Sequence, residues 1–240
     1  MIDHLTIRVT DLGASSRFYG RVFELLEFPD EPYRGEVFHE WSNFSIAQAT
    51  AEKPAARRLH VGFKAQSRAQ VHAWWQELIA EGYASDGEPG PRAQYAPDYY
   101  GAFVCDPDAN SVEAVHNPPL ARDVIDHLWL RVRDRDASRR FYETVGPTVG
   151  LEVQPYGERV FVGAGDASLT LVPGEPTEEV HLAFTARDRA TVEAFHRTGV
   201  EAGYRSNGEP RERPEYHPGY FGAYLLDPDG HNIEAVFHDR

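Results

Sequence analysis

One cysteine, one methionine and no long apolar run mark this 240-residue chain. With Cys105 alone no intrachain disulfide can form, and a reducing cytoplasm is the expected compartment. No stretch approaches the roughly 20 apolar residues of a membrane helix. Met1 runs straight into the alternating His4-Leu5-Thr6-Ile7-Arg8-Val9, so no signal peptide is expected. Basic residues are scarce against acidic ones, 24 to 38, a formal charge of −14. That charge repels phosphate backbones and anionic lipid. The expected partners are therefore a small-molecule substrate and at most a second copy of the chain, as a homodimer; nucleic acid and membrane are not expected.

What the chain does have, it has twice. Ile2-Asp3-His4-Leu5 is answered by Ile125-Asp126-His127-Leu128, and Arg17-Phe18-Tyr19 by Arg140-Phe141-Tyr142. Gly87-Glu88-Pro89 returns as Gly208-Glu209-Pro210, and Asp106-Pro107-Asp108 as Asp227-Pro228-Asp229. The repeat is too long for one turn of a solenoid, so each copy is a whole folding unit. Domains at 1–117 and 124–240 follow. The segment 118–123 serves as linker, because adjacent prolines fit neither a helix nor a central strand.

Each copy reads β-α-β-β-β twice over, an α+β fold. The first strand alternates, with His4, Thr6 and Arg8 on one face and Leu5, Ile7 and Val9 on the other. Asp11 and Asp134 are N-cap candidates for the helix that follows, with Phe18, Val22 and Leu25 at helical spacing. Hairpin strands come next around Val37-Phe38, Phe44 to Ile46, Val160 to Val162 and Leu169 to Val172. New strands open at Leu59 and Val180. They lead to helices capped by Ser67 and Asp188 and stopped by Gly82 and Gly203. Strands over 102–104 and 112–115 close the first copy.

Three chemistry-bearing side chains recur on these strands: His4, His60 and Glu113, then His127, His181 and Glu234, with almost the same spacing. Two imidazoles and one carboxylate suit a borderline divalent metal, Fe, Mn, Co, Ni or Zn. Grouped by copy, His127, His181 and Glu234 would hold one cation, and His4, His60 and Glu113 another; exchange of modules between copies is the alternative, which the sequence does not separate from internal pairing. A lone strand histidine is more often a hydrogen-bonded rim residue than a ligand. The same trio kept twice in otherwise diverged sequence favours the ligand reading.

These modules, the strand-opening histidines and the closing Asp227-Pro228-Asp229-Gly230-His231-Asn232-Ile233-Glu234 resemble the vicinal oxygen chelate superfamily. Its members include glyoxalase I, type I extradiol dioxygenases, methylmalonyl-CoA epimerase, fosfomycin-resistance transferases and bleomycin-resistance proteins. The resemblance covers nearly the whole chain. It implies paired βαβββ modules forming a curved, partly closed mixed sheet around a metal cleft. It also implies three metal ligands per site at the positions named, with Fe(II) favoured. Glyoxalase I has a fourth, carboxylate ligand on the last strand of its first module; Phe44 to Gln48 and Leu169 to Val172 offer none.

Tyr224 and His217 approach the extradiol signature and are the catalytic candidates, with Tyr224 placed to donate a hydrogen bond to a chelated substrate. No acid–base histidine precedes His181, and Phe103, Ala96 and Ala109 replace Tyr224, His217 and Gly230 in the first copy. The second copy is therefore the better candidate for oxygen chemistry. Tyr99, Tyr216 and Tyr220 could line an aromatic substrate pocket or staple a loop. Arg8 and Arg131 share a strand face with His4 and His127 and could neutralise an anionic substrate or pair with an acidic rim. The resulting expectation is a metal-dependent enzyme on a small oxygenated substrate, with extradiol ring cleavage favoured. Isomerisation of the glyoxalase or epimerase type, thiol transfer, and metal-free ligand sequestration of the bleomycin-resistance type are the alternatives.

Overall fold

The computed structural model describes residues 2–28, 32–118, 124–163 and 167–239. The first copy runs β1 (Ile2–Val9), α1 (Leu12–Leu25), β2 (Tyr33–Arg34), β3 (Phe38–Trp41), β4 (Phe44–Gln48), then β5 (His60–Lys64), α2 (Arg68–Ala80), β6 (Ser85–Pro91), β7 (Tyr100–Cys105) and β8 (Ser111–His116). The second repeats it as β9 (Ile125–Val132), α3 (Arg135–Val145), β10 (Glu152–Tyr156), β11 (Arg159–Gly163), β12 (Ser168–Pro173), then β13 (Val180–Thr185), α4 (Arg189–Glu201), β14 (Ser206–Glu212), β15 (Tyr220–Leu226) and β16 (Asn232–His238). This is the expected βαβββ order, four times.

The helices start where their caps say. Asp11, Ser67, Asp134 and Asp188 each accept a hydrogen bond from a backbone N–H in the first turn, satisfying donors that the helix itself leaves orphaned. Gly82 and Gly203 follow the ends of α2 and α4 in left-handed conformation (φ 95° and 88°), which costs glycine nothing. Three details differ from the sequence expectation. Leu25 is only half-buried, and Phe23 and Leu26 fill the core in its place. A 3-10 turn, Gly146–Val149, extends α3. The repeated Gly-Glu-Pro segments, to which the sequence pattern assigns no strand, form β6 and β14, each at a sheet edge and each with register shifts, where proline's missing donor does no harm.

The chain divides into two compact units, Ile7–Trp129 and Met1–Thr6 with Leu130–Arg240. The boundaries fall inside β1 and β9, so each of these strands gives one half to each unit. The repeat places its linker at 118–123, of which 119–123 lie outside the described residues. Counted through the two shared strands, the hydrogen-bonded orders are β14-β15-β16-β13-β1-β4-β3-β2 and β10-β11-β12-β9-β5-β8-β7-β6. Both are eight-stranded and mixed, with β5–β8 and β13–β16 as parallel pairs, and neither closes into a barrel.

In the 7–129 unit, Tyr19, Phe23, Phe44 and Phe63 pack ring to ring between α1 and the strands, with centroids 4.7–5.8 Å apart. In the other unit, Phe141 packs edge-on to Tyr204, and Val192, Phe221, Ala223 and Ala186 form a cluster. No described helix is long and apolar enough to cross a membrane. Phe63 is wholly buried against Phe23 and Phe44. Phe63→Ala is expected to destabilise the protein by about 3–5 kcal/mol through lost burial and the cavity left behind. The check is urea unfolding; a loss under about 1 kcal/mol would mean that this cluster does not carry the core.

Candidate metal centres

Two strand pairings build the centre of the 7–129 unit. Gly62 of β5 stands in register with His127 of β9 on one side and Glu113 of β8 on the other, and His60 lies two residues earlier on the same face. Gly62 has no side chain, and the His127 ring occupies the space a Cβ would take. Gly101 of β7 leaves similar room for the Glu113 carboxylate. As a result His60 Nε2 is 3.0 Å from His127 Nε2, and Glu113 Oε2 is 3.2 Å from both.

The other unit repeats the geometry with His4, His181 and Glu234. His4 Nε2 is 3.1 Å from His181 Nε2, and Glu234 Oε2 lies 3.1 Å from His181 and 3.6 Å from His4. Gly222 makes room for Glu234 as Gly101 does for Glu113. Glu113 and Glu234 are 1% and 0% exposed, so each puts a carboxylate where water cannot solvate it.

Every outward-facing ring nitrogen is tied down. His4 Nδ1 pairs with Asp3 and His127 Nδ1 with Asp126, both at 2.9 Å. His60 Nδ1 is 3.1 Å from Ser111 Oγ, and His181 Nδ1 is 2.6 Å from the Asn232 amide. All four histidines thereby aim Nε2 inward. The carboxylates are held too: Tyr99 donates to Glu113 Oε1 at 2.8 Å and Tyr220 to Glu234 Oε1 at 2.7 Å. Burial and the neighbouring carboxylate raise both phenol pKa values above the ordinary range, which keeps the tyrosines protonated donors.

The charges follow from these contacts. Burial alone would raise the Glu113 pKa, but hydrogen bonds from His127 and His60 outweigh it and hold the carboxyl at about 2. Burial likewise opposes a charged His127, yet Asp126 and Glu113 push it up to about 10. Burial lowers the pKa of His60 and His181, against the opposing pull of Glu113 and Glu234. Asp3, despite burial, is held below the usual carboxylate range by His238 and His4.

The six expected ligands do converge, but not grouped by copy. His4 joins His181 and Glu234, while His127 joins His60 and Glu113. The reason is the division within β1 and β9: the histidine half of each strand belongs to the unit containing the other copy's second module. Arg8 and Arg131 thereby fall in the units that lack their own strand's histidine. Arg8 donates to the Gln48 carbonyl and the Arg131 backbone N–H to Thr177.

Tyr99 and Tyr220 face the carboxylate ligands. Tyr216 is exposed and packs on Tyr220. Tyr224 stands in register with Glu234, its ring 5.8 Å from His181 and covered by Arg213. His217 is linked to Asp3 through His238. Its Nε2 is 2.9 Å from His238 Nδ1, and His238 Nε2 is 3.1 Å from Asp3. Sequence reasoning missed Asp3 and Asp126, although the repeated Ile-Asp-His-Leu carried them. It also missed Gly62, Gly101 and Gly222, whose role appears only across strands, and His238, which the first copy lacks.

The residues fit a divalent cation. In each unit two imidazole nitrogens and one carboxylate oxygen lie within 4.8 Å of one another, and the buried Glu234 Oε2 has no hydrogen-bond donor among the described residues. Such a donor set and the tethered Nδ1 atoms are what a bound metal requires. Gly101→Ala is expected to displace Glu113 and lower bound metal from two equivalents to one, read by elemental analysis; two equivalents retained would refute the packing argument. With Asp126 and Glu113, against burial, raising the His127 pKa to about 10, Zn(II) binding there is expected to release about one proton, and affinity to rise from pH 6 to 9. Calorimetry at pH 7 in buffers of differing ionisation enthalpy measures this; no proton release would contradict the His127 assignment.

Among curated proteins, none matches the chain in sequence. Among solved structures, glyoxalase I from Zea mays is similar at 19% identity and a TM-score of 0.70, covering 99% of this chain and 92% of its own. A proposed dioxygenase from Bacillus subtilis subsp. subtilis str. 168 is similar at 16% identity and a TM-score of 0.67, covering 100% and 85%. At these identities both likenesses speak for the fold. A family-wide sequence profile matches residues 1–114 and 124–235, each copy separately. The chain belongs to the Glyoxalase/Bleomycin resistance protein/Dioxygenase superfamily.

Proposed function

We propose that the protein is a divalent-metal-dependent enzyme acting on a small oxygenated substrate that chelates through neighbouring oxygens, with extradiol ring cleavage the favoured reaction. The convergence of two histidines and one carboxylate in each unit carries this reading. His4, His181 and Glu234 would hold one cation, and His60, Glu113 and His127 the other. Bound there, a cation supplies Lewis acidity and an open coordination face, and Fe(II) adds access to oxygen chemistry. Mn(II), Ni(II), Co(II) and Zn(II) suit the same donors.

The chain's own residues divide the remaining work. Asp3 and Asp126 fix the tautomer and orientation of the first-strand histidines. Tyr220 and Tyr99 leave one oxygen of each carboxylate free to face the imidazoles. Tyr224, beside His181 and with its phenol pKa raised by burial, keeps a proton available for donation. His217 acts at one remove, through His238 and Asp3.

The favoured reaction follows from the three-ligand face and from Tyr224. Glyoxalase- or epimerase-type isomerisation and thiol transfer fit the same scaffold, since fold does not set reaction. Metal-free sequestration is the less favoured alternative, because it needs neither triad. The deciding experiment is anaerobic Fe(II) loading followed by a catechol panel, with oxygen uptake and yellow ring-fission product expected. Tyr224→Phe should slow turnover at least tenfold with iron content intact. Activity on hemithioacetals or epoxides beside inert catechols would move the assignment to the isomerase or transferase branch.

A further inference from the structure

The two centres share their ligands but not their walls. Two residues beyond the first-strand histidine, on the same strand face, the 7–129 unit carries Trp129 where the other carries Thr6. The Trp129 ring lies 5.0 Å from His60 and 6.2 Å from His127, centroid to centroid. Tyr95 meets it edge-on at 5.5 Å and packs in turn 5.2 Å from Tyr99, the tyrosine that holds Glu113. Phe103, in register with Glu113, brings a third ring to 5.8 Å from His60 and carries Arg92 over its ring, as Tyr224 carries Arg213. Trp129, Tyr95 and Phe103 are all half-buried, so these rings form a rim beside a buried ligand set.

The corresponding positions in the other unit are Thr6, Tyr216 and Tyr224. Thr6 has no ring, Tyr216 is 61% exposed, and Arg213 stacks on Tyr224 at 4.3 Å. That centre keeps rings at Tyr216 and Tyr224 but has Thr6 where the 7–129 centre has the Trp129 indole. The 7–129 centre has the indole, with Phe103 in place of the Tyr224 phenol.

We propose that the His60–Glu113–His127 centre is a tight binding site for planar aromatic chelators, ring against Trp129 and Tyr95 and vicinal oxygens toward the ligand triad, separate in role from the Tyr224 centre. Trp129 sets its specificity. Offset or edge-on contact with two rings favours a flat aromatic ligand over an aliphatic one that chelates equally well. The inference rests on the reading that the triads hold divalent cations, but not on any reaction.

The test is binding to the full-length protein loaded with Zn(II), which is redox-silent, using 4-nitrocatechol and following its absorbance change on chelation. Two classes of site are expected in the wild type. Trp129→Ala should weaken the tight class at least tenfold with zinc content unchanged, and Trp129→Phe should restore it to within about threefold. Tyr224→Phe should leave the tight class alone, and acetohydroxamate, an aliphatic chelator, should bind the Trp129→Ala protein as it does the wild type. Equal 4-nitrocatechol affinity in the wild type and Trp129→Ala, or equal weakening of both probes, overturns the proposal while leaving the metal reading standing. Zinc content below a tenth of an equivalent in the wild type removes the metal reading and the proposal together.

Discussion

A carboxylate shut away from water stands at the middle of each unit, and the surrounding residues are arranged around its charge. Removing a carboxylate from water costs several kcal/mol unless hydrogen bonds and opposite charge compensate. Glu113 has Tyr99 on one oxygen and two imidazoles on the other. Glu234 has the same arrangement through Tyr220, His181 and His4, with its inner oxygen left without a donor among the described residues. That demand explains the glycines at 62, 101 and 222, which trade side-chain packing for ligand space. It explains the aspartates behind the first-strand histidines as well.

The duplicated chain has kept this core and let the edges diverge. In the first copy Asp106 accepts from Tyr19 and from Asn110, closing a buried turn with its partners satisfied. In the second, His231 replaces Asn110, and Tyr142 Oη, Asp227 Oδ2 and both His231 ring nitrogens find no hydrogen-bond partner among the described residues. Burial there lifts Asp227 to about 7 and lowers His231 to about 4. The aromatic rim and the His217–His238–Asp3 chain each belong to one unit alone. Two centres with the same ligands therefore stand in different chemical surroundings, which is the raw material for division of labour.

Much of the centre was legible because function recurs at fixed places in a repeat. His4 and His127, His60 and His181, and Glu113 and Glu234 could be paired by position, and alternation put the histidines on the polar strand face. The N-cap residues were legible for a local reason, since a cap contacts only its own first turn. Tyr99 and Tyr220 were visible as aromatics, but their hydroxyls' target lies fourteen residues away on another strand, beyond any local pattern. The edge strands β6 and β14 were hidden because their Gly, Pro and charged residues show no apolar alternation.

The sequence by itself determined the number of modules, their βαβββ order, the candidate ligand types and the negative net charge, all of which depend on composition, periodicity and repetition. Only the tertiary structure decided which histidine joins which carboxylate. Strand alternation tells which face a side chain takes, but the partner strand is selected by hydrogen bonding between segments more than 50 residues apart. His127 thus meets Glu113 across Gly62, and His4 meets Glu234, an exchange between copies that no periodicity along the chain encodes.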